Sequence, residues 1–219
     1  MFMHTKVAAN YEVGTNPVVL FWDIESPFPN FRKSKFTVIC SNGQTREFIS
    51  VDQNFIYEKA LSVKDYTSAS EVLCEKDPEG IVWIGRRLRM NERDLIRWNT
   101  AGLIVMKNAC YAKFAQNQQL RLLLFRTKGM EIAYASTASN GHIYGIGIET
   151  NDVAALNRAN WRGENKLGII LEMVRDELWN QPEFKEDVKL IEAEPLNVRI
   201  EKLQIEKISF LNNNNVENE

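Results

Sequence analysis

The chain has 219 residues, of which 44% are apolar, and its formal net charge at pH 7 is −2. This length and apolar content predict one globular domain with a single core. A slightly acidic chain lacks the basic surface of a general nucleic-acid binder, so any contact with DNA has to be local. The chain has no apolar run of membrane-spanning length and no signal-peptide pattern. We therefore expect a cytoplasmic protein without a membrane partner, in the host cytoplasm if the protein is viral.

The first predicted elements are extended. Residues 18–22 read as a strand, and residues 35–40 and 44–49 read as a hairpin around Asn42-Gly43, a strong short turn signal. Ser50 and Gln53 then form a capping box, which predicts a helix that begins at Val51 or Asp52.

This first helix carries a carboxylate and an amine seven residues apart. At 3.6 residues per turn, Asp52, Phe55, Ile56 and Lys59 share one face, with Asp52 and Lys59 about 10 Å apart along the axis. A shared face suggests chemistry. The simpler alternative is that the Asp52 carboxylate only interacts favourably with the positive end of the helix dipole, and that Lys59 is a solvated charge.

The rest of the chain is predicted to be mainly helical. We expect helices over residues 68–75, 78–87, 94–115 and 118–126, a strand over 131–136, a glycine-rich loop over 141–147, and a final helix with a core stripe from Leu167 to Leu178. Residues 198–208 have mixed periodicity, for which we favour an edge strand over an amphipathic helix. Residues 212–219 read as a disordered tail.

The three cysteines, Cys40, Cys74 and Cys110, lie far apart in the sequence, and the chain has only two histidines, His4 and His142. Without a C-x-x-C spacing, neither a disulfide framework nor a zinc site is predicted, and we expect reduced, mostly buried thiols. No metal and no cofactor are expected.

Seven segments occur in one order around the first helix, and together they resemble the NADAR/YbiA-like family over residues 18–178. They are ESPFPNF (25–31), the helix that begins SVDQ and continues YEKA (50–60), WIGRR (83–87), DLIRW (94–98), AKFAQN (112–117), IYGIG (143–147) and WRGENKLG (161–168). The resemblance and the predicted elements indicate an α+β fold: a mainly helical single domain of the YbiA-like type, with a small N-terminal antiparallel sheet. We place the domain at residues 1–180, a C-terminal extension packed on it at 181–211, and the tail at 212–219.

The resemblance implies an N-glycosidase that acts on a ribosyl–nitrogen bond. Breaking this bond passes through an oxocarbenium-like state, which needs a carboxylate beside C1′, and Asp52 is the candidate. Lys59 is the second catalytic candidate, either as an amine that forms a Schiff base with a ring-opened sugar or as a group that holds ribose hydroxyls or a phosphate.

Other residues of the seven segments are candidate substrate contacts. The Asn30 carboxamide can donate and accept hydrogen bonds at a ribose or base edge. Flat faces for a nucleobase are offered by Phe31, Trp98 and Tyr144. For Trp98, a place in the core is the competing interpretation. Phosphate oxygens are expected to bind either Arg86 and Arg87 or the backbone N–H groups around Gly145, Gly147 and Gly163.

Four candidates for substrate contact, two glycines and two asparagines, have competing structural interpretations. Gly145 and Gly147 are also compatible with a simple tight turn. Asn117 is compatible with a ligand contact, but the N-cap of the next helix is the favoured interpretation. Asn165 has the same two interpretations at the start of the final helix, and they remain equally open.

The chain departs from the family pattern at the carboxylates. The family usually carries Glu where this chain has Asp52, and a misplacement of about 1 Å can reduce a rate about 100-fold. The family's D-x-x-W-G is Gly141 to Gly145 here, so its Asp is absent and its Trp is Tyr144. Asn140 or His142 are the substitutes nearby, and neither carries a fixed negative charge at neutral pH. A diverged enzyme and a non-catalytic binder both remain open.

The SVDQ…YEKA and WRGENKLG segments favour the ADP-ribose branch of the family over the riboflavin-linked branch. The resemblance therefore implies removal of ADP-ribose from a modified guanine in DNA, as an antitoxin or an anti-defence enzyme. The alternatives are hydrolysis of phosphorylated riboflavin intermediates, and binding of an ADP-ribosylated nucleotide or of the DNA ADP-ribosyltransferase itself. A run of arginines is either a local DNA-binding surface or a solvated helix face balanced by Glu92 and Asp94: Arg86, Arg87, Arg89, Arg93 and Arg97.

Overall fold

A computed structural model describes residues 5–8, 17–137 and 142–205. In chain order its elements are β1 (Thr5–Ala8), β2 (Val18–Phe21), β3 (Phe36–Ile39), β4 (Thr45–Phe48), α1 (Val51–Ser62), α2 (Tyr66–Cys74), α3 (Pro78–Arg87), α4 (Glu92–Gln116), α5 (Gln118–Arg126), β5 (Glu131–Tyr134), α6 (Lys166–Trp179), α7 (Lys185–Glu192) and α8 (Leu196–Ile205), with three short 3-10 helices. The predicted mainly helical α+β class is confirmed. The tail and the family's Asp position, residue 141, lie outside the described residues.

The chain divides into two compact units, one made of residues 30–118 and the other of residues 1–29 and 119–219. The 30–118 unit starts with the antiparallel hairpin β3–β4, whose register pairs Phe36 with Phe48. Gly43 takes a positive φ of 79° in its turn, as the Asn-Gly pair predicts. Helix α1 then packs against α2, α3 and α4.

Local side-chain caps fix where α1 begins. The Ser50 hydroxyl accepts a hydrogen bond from the Gln53 backbone N–H at 3.1 Å, and the Gln53 carboxamide accepts one from the Ile49 N–H at 2.9 Å. Gln53 also donates to the carbonyls of Val72 and Glu75 at the end of α2. The predicted start at Val51 is confirmed, and one glutamine both caps α1 and anchors α2.

The other unit is built on a three-stranded sheet with the order β1-β2-β5. Strand β1 runs antiparallel to β2, whereas β5 runs parallel to it, with Val18 opposite Glu131. Helix α6 packs on β5, and a Cβ atom at Gly168 would clash with the Ile132 carbonyl oxygen. Only glycine therefore permits this approach of helix to strand.

The strand predicted over residues 198–208 is wrong, because the chain forms the helix α8 from Leu196 to Ile205. Leu196, Ile200 and Leu203 follow a helical spacing, and Leu203 is buried. Helix α8 packs against β1. Among the described residues, no helix is long and apolar enough to cross a membrane.

Candidate active site on helix α1

Helix α1 is buried on most of its circumference but keeps one accessible face. Seven of its residues are buried: Val51, Gln53, Asn54, Ile56, Tyr57, Glu58 and Ala60. Asp52, Phe55, Lys59 and Ser62 retain exposure and follow one another at three- or four-residue intervals, which places them in one line. We call these four residues the α1 stripe. Ile56, predicted to share this face, is buried against Gly85 of α3 instead.

Asp52 lies at the N-terminal end of the α1 stripe. Its backbone N–H donates to the Asn30 carbonyl at 3.1 Å, which fixes the first turn of the helix. Burial raises the pKa of Asp52 from its ordinary 3.8 to about 6, and the positive charge of Lys113 opposes that rise. The carboxylate is thus mainly ionised at neutral pH, yet close enough to its pKa to accept a proton.

Lys113 is the basic partner of this carboxylate, and it has no exposed surface. Burial lowers its pKa to about 7, and the positive charge of Arg32 acts in the same direction, whereas Cys110 and Asp52 oppose the fall. A fully buried lysine is rare unless it has a specific partner. Asp52 and Lys113 thus form a pair in which each charge stabilises the charged form of the other, while burial has the larger effect on both pKa values.

The sequence prediction missed Lys113 as a site residue, although it lies in one of the seven segments. A signal was available, because Trp98, Gly102, Ala109 and Lys113 follow a helical spacing along α4 and the first three are apolar or small. A lysine on an otherwise apolar stripe is a buried charge and hence a functional candidate.

Asn30 and Cys110 complete the surroundings of the pair. The Cys110 thiol donates to the Asn30 side-chain oxygen across 3.7 Å, and both residues are buried. Burial raises the pKa of Cys110 to about 12, so the group is a neutral thiol rather than a nucleophile. Asn30, predicted to contact substrate, thus also supports the Asp52 turn through its backbone carbonyl.

Lys59, the predicted second catalytic residue, lies farther along the α1 stripe. Its amine is 3.4 Å from the Gly85 carbonyl oxygen, and burial lowers its pKa. The amine that acts electrostatically on Asp52 is Lys113. The Schiff-base and binding roles of Lys59 remain predictions.

The far end of the α1 stripe opens into a cavity of about 230 Å³ lined by Ser62, Asp94, Arg97, Trp98 and Ala101. Trp98 is only 8% exposed and packs edge to face against Phe55, with ring centroids 5.1 Å apart. Trp98 is thus a core residue that also forms part of a cavity wall, so the two sequence interpretations are not exclusive.

The arginine run is only partly balanced by acidic groups. Arg87 lies over the Trp83 ring at 3.9 Å and pairs with Glu71 at 2.6 Å, and Arg97 pairs with Asp94. Arg86 is exposed, as are Arg89 and Arg93, while Phe31 is half-buried.

Asn117 lies directly before α5 with an extended backbone, which is the predicted N-cap position. Its side-chain amide donates to the carbonyl of Lys113 at 2.7 Å and to that of Lys35 at 3.0 Å. It therefore closes the C-terminal turn of α4, because carbonyls at a helix end have no partner within the helix. This contact holds the backbone of the turn that carries Lys113.

The glycine loop belongs to the unit of residues 1–29 and 119–219, and its hydrogen bonds are internal. The Gly147 N–H donates to the Ser136 carbonyl at 3.2 Å, and the Gly163 N–H donates to the Ile146 carbonyl at 3.1 Å. These two N–H groups are engaged within the loop, which corrects the expectation that they receive a phosphate. The Gly145 carbonyl accepts from the Asn165 N–H at 3.0 Å.

Asn165 is a structural residue of α6 and β5. It takes a left-handed conformation with φ 50°, and its side chain donates to the Ile132 carbonyl at 2.8 Å and accepts from the Tyr134 N–H at 3.1 Å. Buried and bonded in this way, it fastens the start of α6 to β5, which favours the structural interpretation. Tyr144 is half-buried, and the neighbouring His142 is exposed, with its Nδ1 3.2 Å from the Arg162 carbonyl oxygen.

These features define a mainly helical α+β protein with a carboxylate, Asp52, at the start of its first helix and a buried lysine, Lys113, near the C-terminal end of α4. The chain belongs to the NADAR domain family, whose model matches residues 20–179. The predicted family assignment is confirmed.

Two curated relatives and one solved structure extend this assignment. The chain is 37% identical to "Protein irg-1" of Caenorhabditis elegans over 211 residues, covering 92% of this chain and 98% of that protein. It is 30% identical to "N-glycosidase R617" of Acanthamoeba polyphaga mimivirus over 132 residues, covering 60% of this chain and 75% of that protein. The NMR structure of the E. coli protein YbiA is similar with a TM-score of 0.56 at 21% identity, covering 79% of this chain and 91% of that one, which shows the shared fold.

Proposed function

We propose that this chain is an N-glycosidase that hydrolyses a ribosyl C–N bond, and that its substrate is a guanine in DNA that carries ADP-ribose. The observation that carries the proposal is the partly exposed Asp52, held in the first turn of α1 by the Asn30 carbonyl, whose pKa is raised by burial and lowered by the charge of Lys113. The name of the mimivirus relative supports the bond type.

In this proposal Asp52 is the catalytic residue. Its carboxylate lies beside C1′, where it stabilises the developing positive charge and accepts a proton from the attacking water. The water oxygen bonds to C1′, the C1′–N electron pair leaves with the base nitrogen, and that nitrogen takes up a proton from solvent. Lys113 has no exposed surface. It is therefore a positioning residue that acts through Asp52 and keeps its carboxylate ionised near neutral pH.

The choice of ADP-ribose rests on segments of the chain rather than on the pair itself. The SVDQ…YEKA and WRGENKLG segments resemble the ADP-ribose branch more than the riboflavin-linked branch. The SVDQ…YEKA segment forms α1, which carries both Asp52 and Lys59. The exposed Arg86, Arg89 and Arg93 supply a local positive surface in a chain with a net charge of −2. Such a surface suits contacts to a DNA backbone.

The deciding experiment incubates the purified chain with guanine-ADP-ribosylated single-stranded DNA and, separately, with the phosphorylated riboflavin intermediate. Mass spectrometry then measures the released products. Release of ADP-ribose with intact guanine from the DNA alone is the expected result. Cleavage of the riboflavin intermediate alone would contradict the proposed substrate and support the riboflavin branch. No release from either, with retained ADP-ribose binding, would contradict the enzyme and support a binder.

Asp52→Asn tests the catalytic residue on whichever substrate is cleaved. We expect turnover to fall by about 10²–10⁴, the usual contribution of a general base. Glu92→Gln is the matched control, because Glu92 is an exposed carboxylate in the first turn of α4. Equal turnover of Asp52→Asn and the parent chain would refute the assignment.

A further inference from the structure

The cavity beside Trp98 lies in line with the catalytic carboxylate. Asp52 and Ser62 are ten residues apart on one straight helix, which separates them by about 15 Å along the axis. Phe55 and Lys59 lie between them on the same accessible stripe, so one extended ligand can follow the stripe from the carboxylate to the cavity.

The chemistry along the α1 stripe changes in a defined order. A carboxylate at Asp52 is followed by the half-buried amine of Lys59, and then by a cavity walled by the Trp98 ring and Ala101. The Asp94 carboxylate of this wall is occupied, since it accepts hydrogen bonds from the Asn91 N–H and from Arg97. Along the α1 stripe, Asp52 therefore suits a sugar, Lys59 suits an anion, and the cavity suits a flat ring.

The cavity also has a size that limits its occupant. Its volume of about 230 Å³ is below the range of about 300–1,000 Å³ for complete small-molecule sites, so it suits one terminal group of a larger ligand. The indole of Trp98 is fixed by its contact with Phe55 and by Gly102, where a Cβ atom would lie 3.0 Å from the ring. A rigid aromatic wall of this kind suits a nucleobase.

We infer that this cavity is the subsite for the terminal nucleobase of a nucleoside diphosphate sugar, whose ribose lies at Asp52 and whose diphosphate passes Lys59. This inference rests on the proposed function, because it takes the ribosyl group at Asp52 as its starting point. In the full substrate the terminal nucleobase is the adenine of ADP-ribose.

Filling the cavity tests this inference. Ala101 is exposed and lines the cavity, so Ala101→Phe occupies the space without touching the α1 core. Calorimetry measures the binding of ADP-ribose, ADP, ribose 5-phosphate and an unmodified DNA strand to the parent chain and to each variant. Thr100→Phe, at an exposed neighbouring position outside the cavity lining, is the matched control. Unchanged thermal midpoints exclude misfolding.

We expect Ala101→Phe to weaken ADP-ribose and ADP binding by about tenfold or more and to leave ribose 5-phosphate binding unchanged. Lys59→Met should weaken all three phosphorylated ligands, and Thr100→Phe none. Unchanged ADP-ribose affinity in Ala101→Phe would overturn the inference, as would a loss confined to the DNA strand or a parent chain that does not bind ADP-ribose. If ADP-ribose binds with the expected pattern but no DNA is cleaved, the subsite stands and the proposed function fails.

Discussion

Asp52 and Lys113 are each held in a protein environment that disfavours their charge. Burial raises the pKa of the carboxyl to about 6 and lowers that of the amine to about 7, while each charge partly stabilises the other. Burial therefore moves the pKa of both groups towards neutral pH. Such pairs are common where a fold needs a proton acceptor at physiological pH.

Lys113→Met should move the pH dependence of turnover. Without the positive charge the pKa of Asp52 rises above 6, so the acid limb of the kcat profile shifts to higher pH and the loss of turnover is largest near pH 6. Lys107→Met, on the same helix, is the control and should leave the limb in place. If the acid limb of the kcat profile lies at the same pH in Lys113→Met and in the parent, the amine does not affect the pKa of Asp52.

Asp52→Asn should have a stability effect that depends on pH. The folded chain holds the Asp52 proton more tightly than the unfolded chain, so this group lowers the free energy of unfolding as pH rises from 3.8 to about 6. Above about pH 6 this penalty no longer changes. The free energy of unfolding of Asp52→Asn minus that of the parent should therefore be larger at pH 8 than at pH 4, by on the order of 1–3 kcal/mol. Urea unfolding at both pH values measures this difference. An equal difference at both would contradict the raised pKa.

At the scale of elements, side-chain hydrogen bonds hold the helices that carry the site. The Gln116 carboxamide accepts from the Thr37 N–H at 2.8 Å and donates to the Thr37 carbonyl at 2.7 Å, as a neighbouring strand would. With the Asn117 contacts, this fixes the C-terminal end of α4 on β3. Lys113 therefore projects from a backbone that is held on both sides, which suits a group that positions another.

The contact of α6 with β5 depends on one glycine. Gly168→Ala should lower the free energy of unfolding by about 2–3 kcal/mol, because the added methyl meets the Ile132 carbonyl oxygen and the Asn165 side chain. Alanine's better helix propensity returns only about 1 kcal/mol. Met173→Ala, at an exposed position of the same helix, is the control. Denaturant unfolding measures both, and equal stabilities would contradict the close packing.

At the scale of the whole molecule, the fold continues beyond the family match, which ends at residue 179. Arg121 of α5 pairs with Asp187 of α7 at 2.7 Å, with both side chains about 90% buried (8% and 10% exposed). Arg126 pairs with Glu194 at 3.1 Å, and Lys202 of α8 contacts the same carboxylate at 2.5 Å. The extension predicted at 181–211 thus supplies, within its described part, the counter-charges for two buried arginines.

Asp187→Ala should therefore be strongly destabilising. Removing one partner leaves the Arg121 charge buried without its carboxylate, which typically costs about 3–5 kcal/mol. Glu186→Ala is the matched control, since its ion pair with Lys189 is exposed and worth about 0–1 kcal/mol. Thermal unfolding compares the two variants. Similar midpoints for both would show that the buried pair does not anchor α7.

The sequence by itself determined the features that depend on neighbouring residues. The start of α1, the Asn42-Gly43 turn, the opening of α3 at Pro78 and the spacing of Asp52 and Lys59 all follow from local chemistry. The family resemblance likewise required only the order of short segments. These features are predictable because their hydrogen bonds and dihedral preferences lie within a few residues of one another.

Tertiary structure alone decided which polar groups are buried and what they contact. Residues 198–208 suit both a strand and a helix in isolation, and packing against β1 accompanies the helix α8. Asn117 and Asn165 each found partners that are distant in the sequence. Lys113 becomes the partner of Asp52 only when α4 packs on α1, because burial, and with it the shift of both pKa values, is a property of the packed helices and not of either segment.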